Sequence, residues 1–592
     1  MRNLLTNIRK LFTYRRPVDT EGGFELLEDE FEKSDTEEVP SEKYGVNTGN
    51  PSNQEKSKKG ATVKQPIKVE QWNKQKNNQG GKIPTSNMRQ NIISTDLNVN
   101  KEYIRQSFSM PKNQDIVIRE FRIARKLKAF IVFIDGMVDK TSINQFVLPQ
   151  LMNPECLAGF SGDCPLDYIM EDVLSITQLT KTADFNITKI QALNGLSILF
   201  VDGCPEALMI ETSGFEKRGI DRPITEQVVR GSQEGFTENL RTNLTLLRRI
   251  IKNEKLITEV IPVGKLNKIN CAILYIEGVT NPKIVREVRR RIKGINIDFI
   301  EGNGMLEQLI EDNPFMLFPQ VVTTERPDRA SSFLAEGQVV IITEGDPFAI
   351  AVPMSFFRLF HSSEDSMLRW EYGTFLRMIR LVGVLSALMI PGMYVALALY
   401  HHEMIPTPLL ESIARMRENV PFPTIIELIL MEISFELIRE GGVRIPGVIG
   451  QTLGILGALI LGQVAVAAGL ASPLLIVIVA LTGLGSFTMP NFSMAISIRI
   501  LRFFFIFAGG IAGFYGISLA FILVAAIACH MKSFGVPFLT PVAPRVKINP
   551  DVIIRHPIFR QKMRSDGFNT PNRKRAGNNA MEWTKEKGGD DQ

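Results

Sequence analysis

The chain has 592 residues, a formal net charge of +5, 44% hydrophobic residues and 22% charged residues. So small a net charge excludes an electrostatic case for nucleic-acid binding, and the length implies several domains. The averages conceal three unlike stretches: a polar start, ordinary globular composition over 115–365, and a strongly apolar stretch over 380–530.

"MRNLLTNIRKLFTYRR" lacks the continuous apolar core and cleavage site of a signal peptide. Leu4, Leu5, Ile8, Leu11 and Phe12 recur at helical spacing among basic residues, a pattern equally consistent with a helix on an anionic membrane surface and with accidental periodicity. From there to 114 the composition is polar, first acidic and then basic. It cannot bury enough apolar surface to offset chain entropy, so 1–114 is expected to be disordered.

Order is expected from 115. "KAFIVFIDG" (128–136) reads as a buried strand ending in an acid-Gly turn, and the device returns in "LSILFVDG" (196–203), "NCAILYIEG" (270–278) and "QVVIITEG" (338–345). Helical patterns such as "NPKIVREVRRRIKGI" lie between such strands. This alternation predicts α/β organisation in two related subdomains, 115–215 and 255–365. Asp135, Asp202 and Glu277 stand at strand ends, where acid-Gly turns are ordinary structural punctuation.

Between the subdomains, 216–254 begins with turn residues and closes as a helix with Phe236, Leu240, Leu244, Leu247 and Ile250 on one stripe. Arg218, Arg222, Arg230, Arg248 and Arg249 accompany Glu226, Glu234 and Glu238. A charge run is usually a solvated face, but this density suits ion pairing at an interface between subdomains or subunits.

The five cysteines show no CxxC spacing and the five histidines no metal-like cluster. Reduced thiols are the simpler expectation. No nucleotide-binding loop, nucleophile elbow or metal motif appears, so neither an enzyme nor a cofactor is expected.

The apolar half, 366–540, reads as a multi-pass α-helical membrane domain. Four spans are expected within 381–400, 446–470, 472–487 and 503–531, followed by a basic tail over 541–592. Basic flanks at both ends favour an even number of spans, with both termini cytosolic. The segment 421–442, which contains "PTIIELILMEISFELIREGG", is then interfacial or re-entrant; a full crossing would instead place the C-terminus outside. It holds Glu432, Glu436 and Glu440 on one helical stripe, with Glu427 on the opposite face. In 446–470, Gly447, Gly450 and Gly454 share a face that permits close helix packing. Thr452, Leu459, Gln463 and Val466 run roughly opposite. From the residues alone, this helix lines a pore or lies buried in a bundle.

"RGIDRPITEQVVRGSQEGFTENLRTNLTLLRRI", "EGVTNPKIVREVRRRI", "LFPQVVTTERPD", "EGQVVIITEGDPFAIAVPMSFF" and "PFPTIIELILMEISFELIREGGVRIPGVIGQTLGILGALILGQ" closely resemble the A subunit of the GerA family of spore germinant receptors. The resemblance runs from about 115 to 545. Arg222 and Ser232 stand where members commonly carry Glu and Pro, which bears on local turn geometry. The resemblance implies a receptor in the spore inner membrane with a cytosolic α/β region. It also implies a permease-like B subunit, a lipoprotein C subunit, and A-subunit oligomers forming an ion channel. On that basis Glu432, Glu436 and Glu440 are expected to form acidic rings at a pore mouth, and Thr452, Leu459, Gln463 and Val466 to line the pore. A non-conducting membrane scaffold that senses ligand through the α/β region is the alternative. The germinant itself is not implied.

Overall fold

The computed structural model describes residues 91–577 apart from 161, 163, 215–221, 445–456, 458–459, 546–550 and 565. The expected polar tail therefore lies outside the described residues up to 90. From 91 the chain is structured, earlier than the polar composition indicated. Helix α1 (Leu97–Ser107) starts at Asp96, whose carboxylate accepts from the Asn98 N–H at 2.8 Å. Its Ile104, with Phe108 just beyond, is buried under the first sheet.

That sheet contains β1 (Ile116–Ile123), β2 (Leu127–Ile134), β3 (Leu179–Thr182), β4 (Ser197–Val201) and β5 (Ala207–Ile210), ordered β1-β2-β4-β5-β3. Helix α2 (Phe185–Leu193) connects β3 to β4. The continuous apolar runs of β2 and β4 become central strands because both faces are covered. The polar β3, "LTKT", takes an edge.

After the connecting helix α3 (Leu240–Ile250) the pattern repeats. The second sheet holds β6 (Leu256–Val263), β7 (Ile269–Ile276), β8 (Val322–Thr324), β9 (Val339–Thr343) and β10 (Ala349–Val352). Its order, β6-β7-β9-β10-β8, is the first order again. Helices α4 (Pro282–Lys293), α5 (Asn303–Ile310) and α6 (Pro327–Ala335) cover it. Every pairing in both sheets is antiparallel, so the α/β alternation builds no parallel sheet. Each acid-Gly turn places its glycine at positive φ: 86° at Gly136, 84° at Gly203, 82° at Gly278 and 83° at Gly345. Glycine tolerates this conformation because it has no Cβ. The four acids mark one turn geometry repeated.

Cys164 and Cys204 form a disulfide, with Sγ atoms 2.23 Å apart. This corrects the expectation of reduced thiols for that pair. Their separation of 40 residues gives no spacing signal, and the fold alone makes them neighbours.

The C-terminal half is helical: α7 (Trp370–Leu399), α8 (Thr407–Arg417), α9 (Thr424–Arg444), α10 (Pro473–Phe487) and α11 (Phe492–His530). Helices α7 and α11 are long and apolar enough to cross a bilayer. Each begins 11 residues before its expected span. At 15 residues α10 is shorter than the about 20 a crossing requires. The first part of the expected 446–470 span lies outside the described residues. Gly392 and Gly509 let α7 and α11 cross closely. A Cβ on Gly392 would lie 2.7 Å from the Phe505 carbonyl oxygen, and one on Gly509 2.5 Å from that of Gly392. Helix α11 breaks at Ala512 and Gly513 (φ 57°).

Beyond α11, β11 (Lys532–Ser533) and β12 (Val536–Pro537) lead the chain back to the second sheet. Phe534, Val536 and Phe568 enter its core. The described part of the expected basic tail therefore packs against the α/β region.

Candidate functional site

Helix α9 forms despite its four glutamates because its length is otherwise apolar and a neighbouring helix supplies counter-charges. Glu432 is 1% exposed, and its Oε2 lies 2.9 Å from Arg502 Nη1 on α11. The other Arg502 amine donates to Glu436 Oε1 at 2.9 Å. Arg499, one turn earlier on α11, donates to Glu436 Oε2 at 3.2 Å. Arg439 completes the group, reaching Glu436 at 3.4 Å and the Ser486 hydroxyl at 2.8 Å. Its guanidinium also stacks over Phe487, 4.3 Å from the ring centroid. Two carboxylates and three guanidiniums thus form one network among α9, α10 and α11.

Burying these charges is costly unless they are paired, and the pairing here is shared. Among the described residues, Arg502 Nε and Glu432 Oε1 nevertheless have no hydrogen-bond partner.

The stripe Glu432, Glu436 and Glu440 is therefore not one uniform acidic face within the chain. Glu432 is buried, Glu436 is half-buried and shared by arginines, and Glu440 is exposed. Glu427, expected on the opposite face, is fully buried and accepts from the Ser472 N–H at 2.6 Å. The helical wheel located these faces without showing what covered them. Of the expected pore positions, Thr452 and Leu459 lie outside the described residues, as do Gly447, Gly450 and Gly454. Gln463 is exposed and Val466 half-buried.

The charged segment divides into moored and free parts. Arg248 is 1% exposed and binds Asp115 through both arms, at 2.7 and 2.9 Å, joining α3 to the start of the first sheet. Glu226 pairs with Arg329 on α6, and Glu234 lies 3.5 Å from Arg249. Arg222, Arg230 and Glu238 are exposed; Arg218 lies outside the described residues. Ile224 and Val229, 81% and 92% exposed, stand beside the free arginines.

Residues 102–566 match the Bacillus/Clostridium GerA spore germination protein family. The chain belongs to this family. It is 38% identical over 468 residues to spore germination protein KA of Bacillus subtilis (strain 168), covering 78% of this chain and 86% of that protein. Against spore germination protein GerLA of Bacillus cereus the identity is 37% over 442 residues, with 74% and 89% covered. Spore germination protein A1 of Bacillus subtilis (strain 168) is 36% identical over 478 residues, with 80% and 97% covered. A crystal structure of the N-terminal domain of the A subunit of the Bacillus megaterium spore germinant receptor GerK3 shares 31% identity. It covers 45% of this chain and 97% of that one, with a TM-score of 0.36. Within this family member, sequence reading missed Arg499 and Arg502 as partners of the glutamate stripe. Their i, i+3 spacing on an apolar helix was the available signal.

Proposed function

We propose that the chain is the A subunit of a spore germinant receptor in the spore inner membrane, which self-associates into a germinant-gated cation channel. It acts with a permease-like B subunit and a lipoprotein C subunit, contacts membrane lipid, and carries out no enzymatic step. The observation that carries this reading is the Glu432–Arg502–Glu436–Arg499–Arg439 network held among apolar helices. Ionisable groups in such surroundings are expensive to maintain and mark ion paths or gates. The arginines couple α9 to α11, so a movement of either helix changes how much of Glu436 is neutralised.

Orientation is supported by packing outside the helices. Arg564 donates to the Ala335 carbonyl at 2.8 Å and Asn281 to that of Asn569 at 3.2 Å. These contacts between the α/β region and the segment beyond the last helix support an even number of crossings between the two. This agrees with the expected cytosolic placement of both termini.

The test is electrical. Purified oligomers in planar bilayers should carry cation current when gated, and Glu436→Gln should alter its conductance at low salt while assembly is preserved. A second reading, a non-conducting scaffold, is favoured by the internal neutralisation of Glu432 and Glu436. It predicts no current from either protein in correctly assembled receptors.

A further inference from the structure

A cavity of about 210 Å³ lies away from the charged network, where α6 and the first turns of α7 meet Thr540, Asp551, Arg555 and Arg575. Five arginines line it, against Glu336 and Asp551. Arg377 is committed to Asp551 at 2.6 Å, and Arg329 to Glu226 outside the cavity. Glu336 is divided between Arg575 at 2.8 Å and Arg358 at 3.5 Å.

Arg555 differs from these. It is 4% exposed, and its two amines donate to the carbonyls of Leu368 at 2.7 Å and Ser366 at 2.9 Å. Those carbonyls fix the guanidinium without cancelling its charge, and no carboxylate among the described residues pairs with it. Thr540 is 3% exposed on the same lining, and its hydroxyl has no hydrogen-bond partner among the described residues. A buried guanidinium with no carboxylate in direct contact and a buried hydroxyl without a partner among the described residues both gain from a further acceptor. One acceptor-rich anion would satisfy both.

We propose that this cavity binds a phosphate-type anion, held by Arg555 and the Arg358–Arg575 pair and reached by the Thr540 hydroxyl, and that the anion fastens the C-terminal segment to the root of α7. Planar arginine forks match phosphate oxygens better than a single carboxylate, because several donors converge on one group. Glu336 is the competing acceptor and limits the affinity. Free phosphate and a phospholipid headgroup share this chemistry. The headgroup has access because the cavity adjoins the start of α7, where Trp370, Tyr372 and Phe375 are 42%, 61% and 62% exposed.

The experiment uses the full chain in dodecyl maltoside micelles, which contain no phosphate, titrated with inorganic phosphate against chloride at equal ionic strength. A saturable rise in thermal stability specific to phosphate is expected. Arg555→Gln should weaken it roughly tenfold or more, and Thr540→Val and Arg575→Ala each several-fold. Arg575 is half-exposed, so its variant remains informative if the buried substitutions impair folding. A second arm adds phosphatidylglycerol to the micelles and reads retained lipid by native mass spectrometry. Retention that displaces phosphate and is lost in Arg575→Ala assigns the headgroup as ligand; a phosphate response unaffected by lipid assigns the free anion. If wild-type protein binds neither saturably, or if binding is indifferent to all three substitutions, the proposal is wrong.

Discussion

At the scale of single residues, the strongest effects should come from buried charges whose partners lie far away in sequence. Arg248 and Asp115 are separated by the whole first subdomain, yet the fork between them is nearly solvent-free. Arg248→Met leaves Asp115 buried without its cation and should cost about 3–5 kcal/mol, measured by denaturant unfolding of the full chain. Restoring much of that loss by adding Asp115→Leu would identify the unpaired carboxylate as the cause. A pH effect is expected from α5. Burial and the neighbouring Glu311 push the Glu307 carboxyl up to about 7. Burial likewise pushes Glu311 up to about 7, against the opposing Gln320 N–H. A raised carboxyl pKa means that the folded state retains protons the unfolded chain releases. The stabilisation is complete below the unfolded value and is lost as pH rises through about 7. Glu307→Gln should therefore raise the melting temperature at pH 8 and lose that advantage towards pH 5. An offset independent of pH would contradict this assignment.

Elements depend on how helices approach one another. The α7–α11 crossing places backbone against backbone at Gly392 and Gly509, so a larger side chain there must force the helices apart. Gly509→Leu should destabilise the helical part by about 1–3 kcal/mol or more, read as faster thermal inactivation in detergent. Ile511→Leu, at a position 76% exposed, should leave it unchanged. The break in α11 is stabilised from α7's end. The Tyr400 hydroxyl lies 3.0 Å from the Gly510 carbonyl oxygen and 2.8 Å from that of Ile511. These are acceptors that an unbroken helix would have bonded internally. Tyr400→Phe should cost about 1–3 kcal/mol if both carbonyls stay out of water. The sequence marked Gly513 as one glycine among several in an apolar run. Only the break and its tyrosine donor distinguish it.

For the whole molecule, the described part of the charged connecting segment is fastened internally through Arg248, Glu226 and Glu234. Arg230 and Glu234 make no pair with each other, because Glu234 faces Arg249 while Arg230 is exposed. A charge exchange between them is therefore a poor probe of assembly. The exposed Ile224 and Val229 are better ones. Replacing both with Asp should weaken self-association in analytical ultracentrifugation without changing monomer stability. Unchanged oligomers would remove this segment from the assembly interface.

Much of this architecture was legible because hydrophobic patterning and turn chemistry are local. The central strands, their acid-Gly turns and the apolar helical half follow from runs of residues read in order. The shared strand order of the two sheets follows the recurrence of those runs. The partners of Glu432 and Glu436 were not legible, since α9 and α11 meet only after the chain has passed through α10. Likewise, Cys164 reaches Cys204, and Arg555 reaches the root of α7, through the fold alone. Sequence by itself determined the family, the central strands with their acid-Gly turns and the apolar helical half. Tertiary structure decided which charges are neutralised, because burial and counter-charge depend on contacts between distant segments.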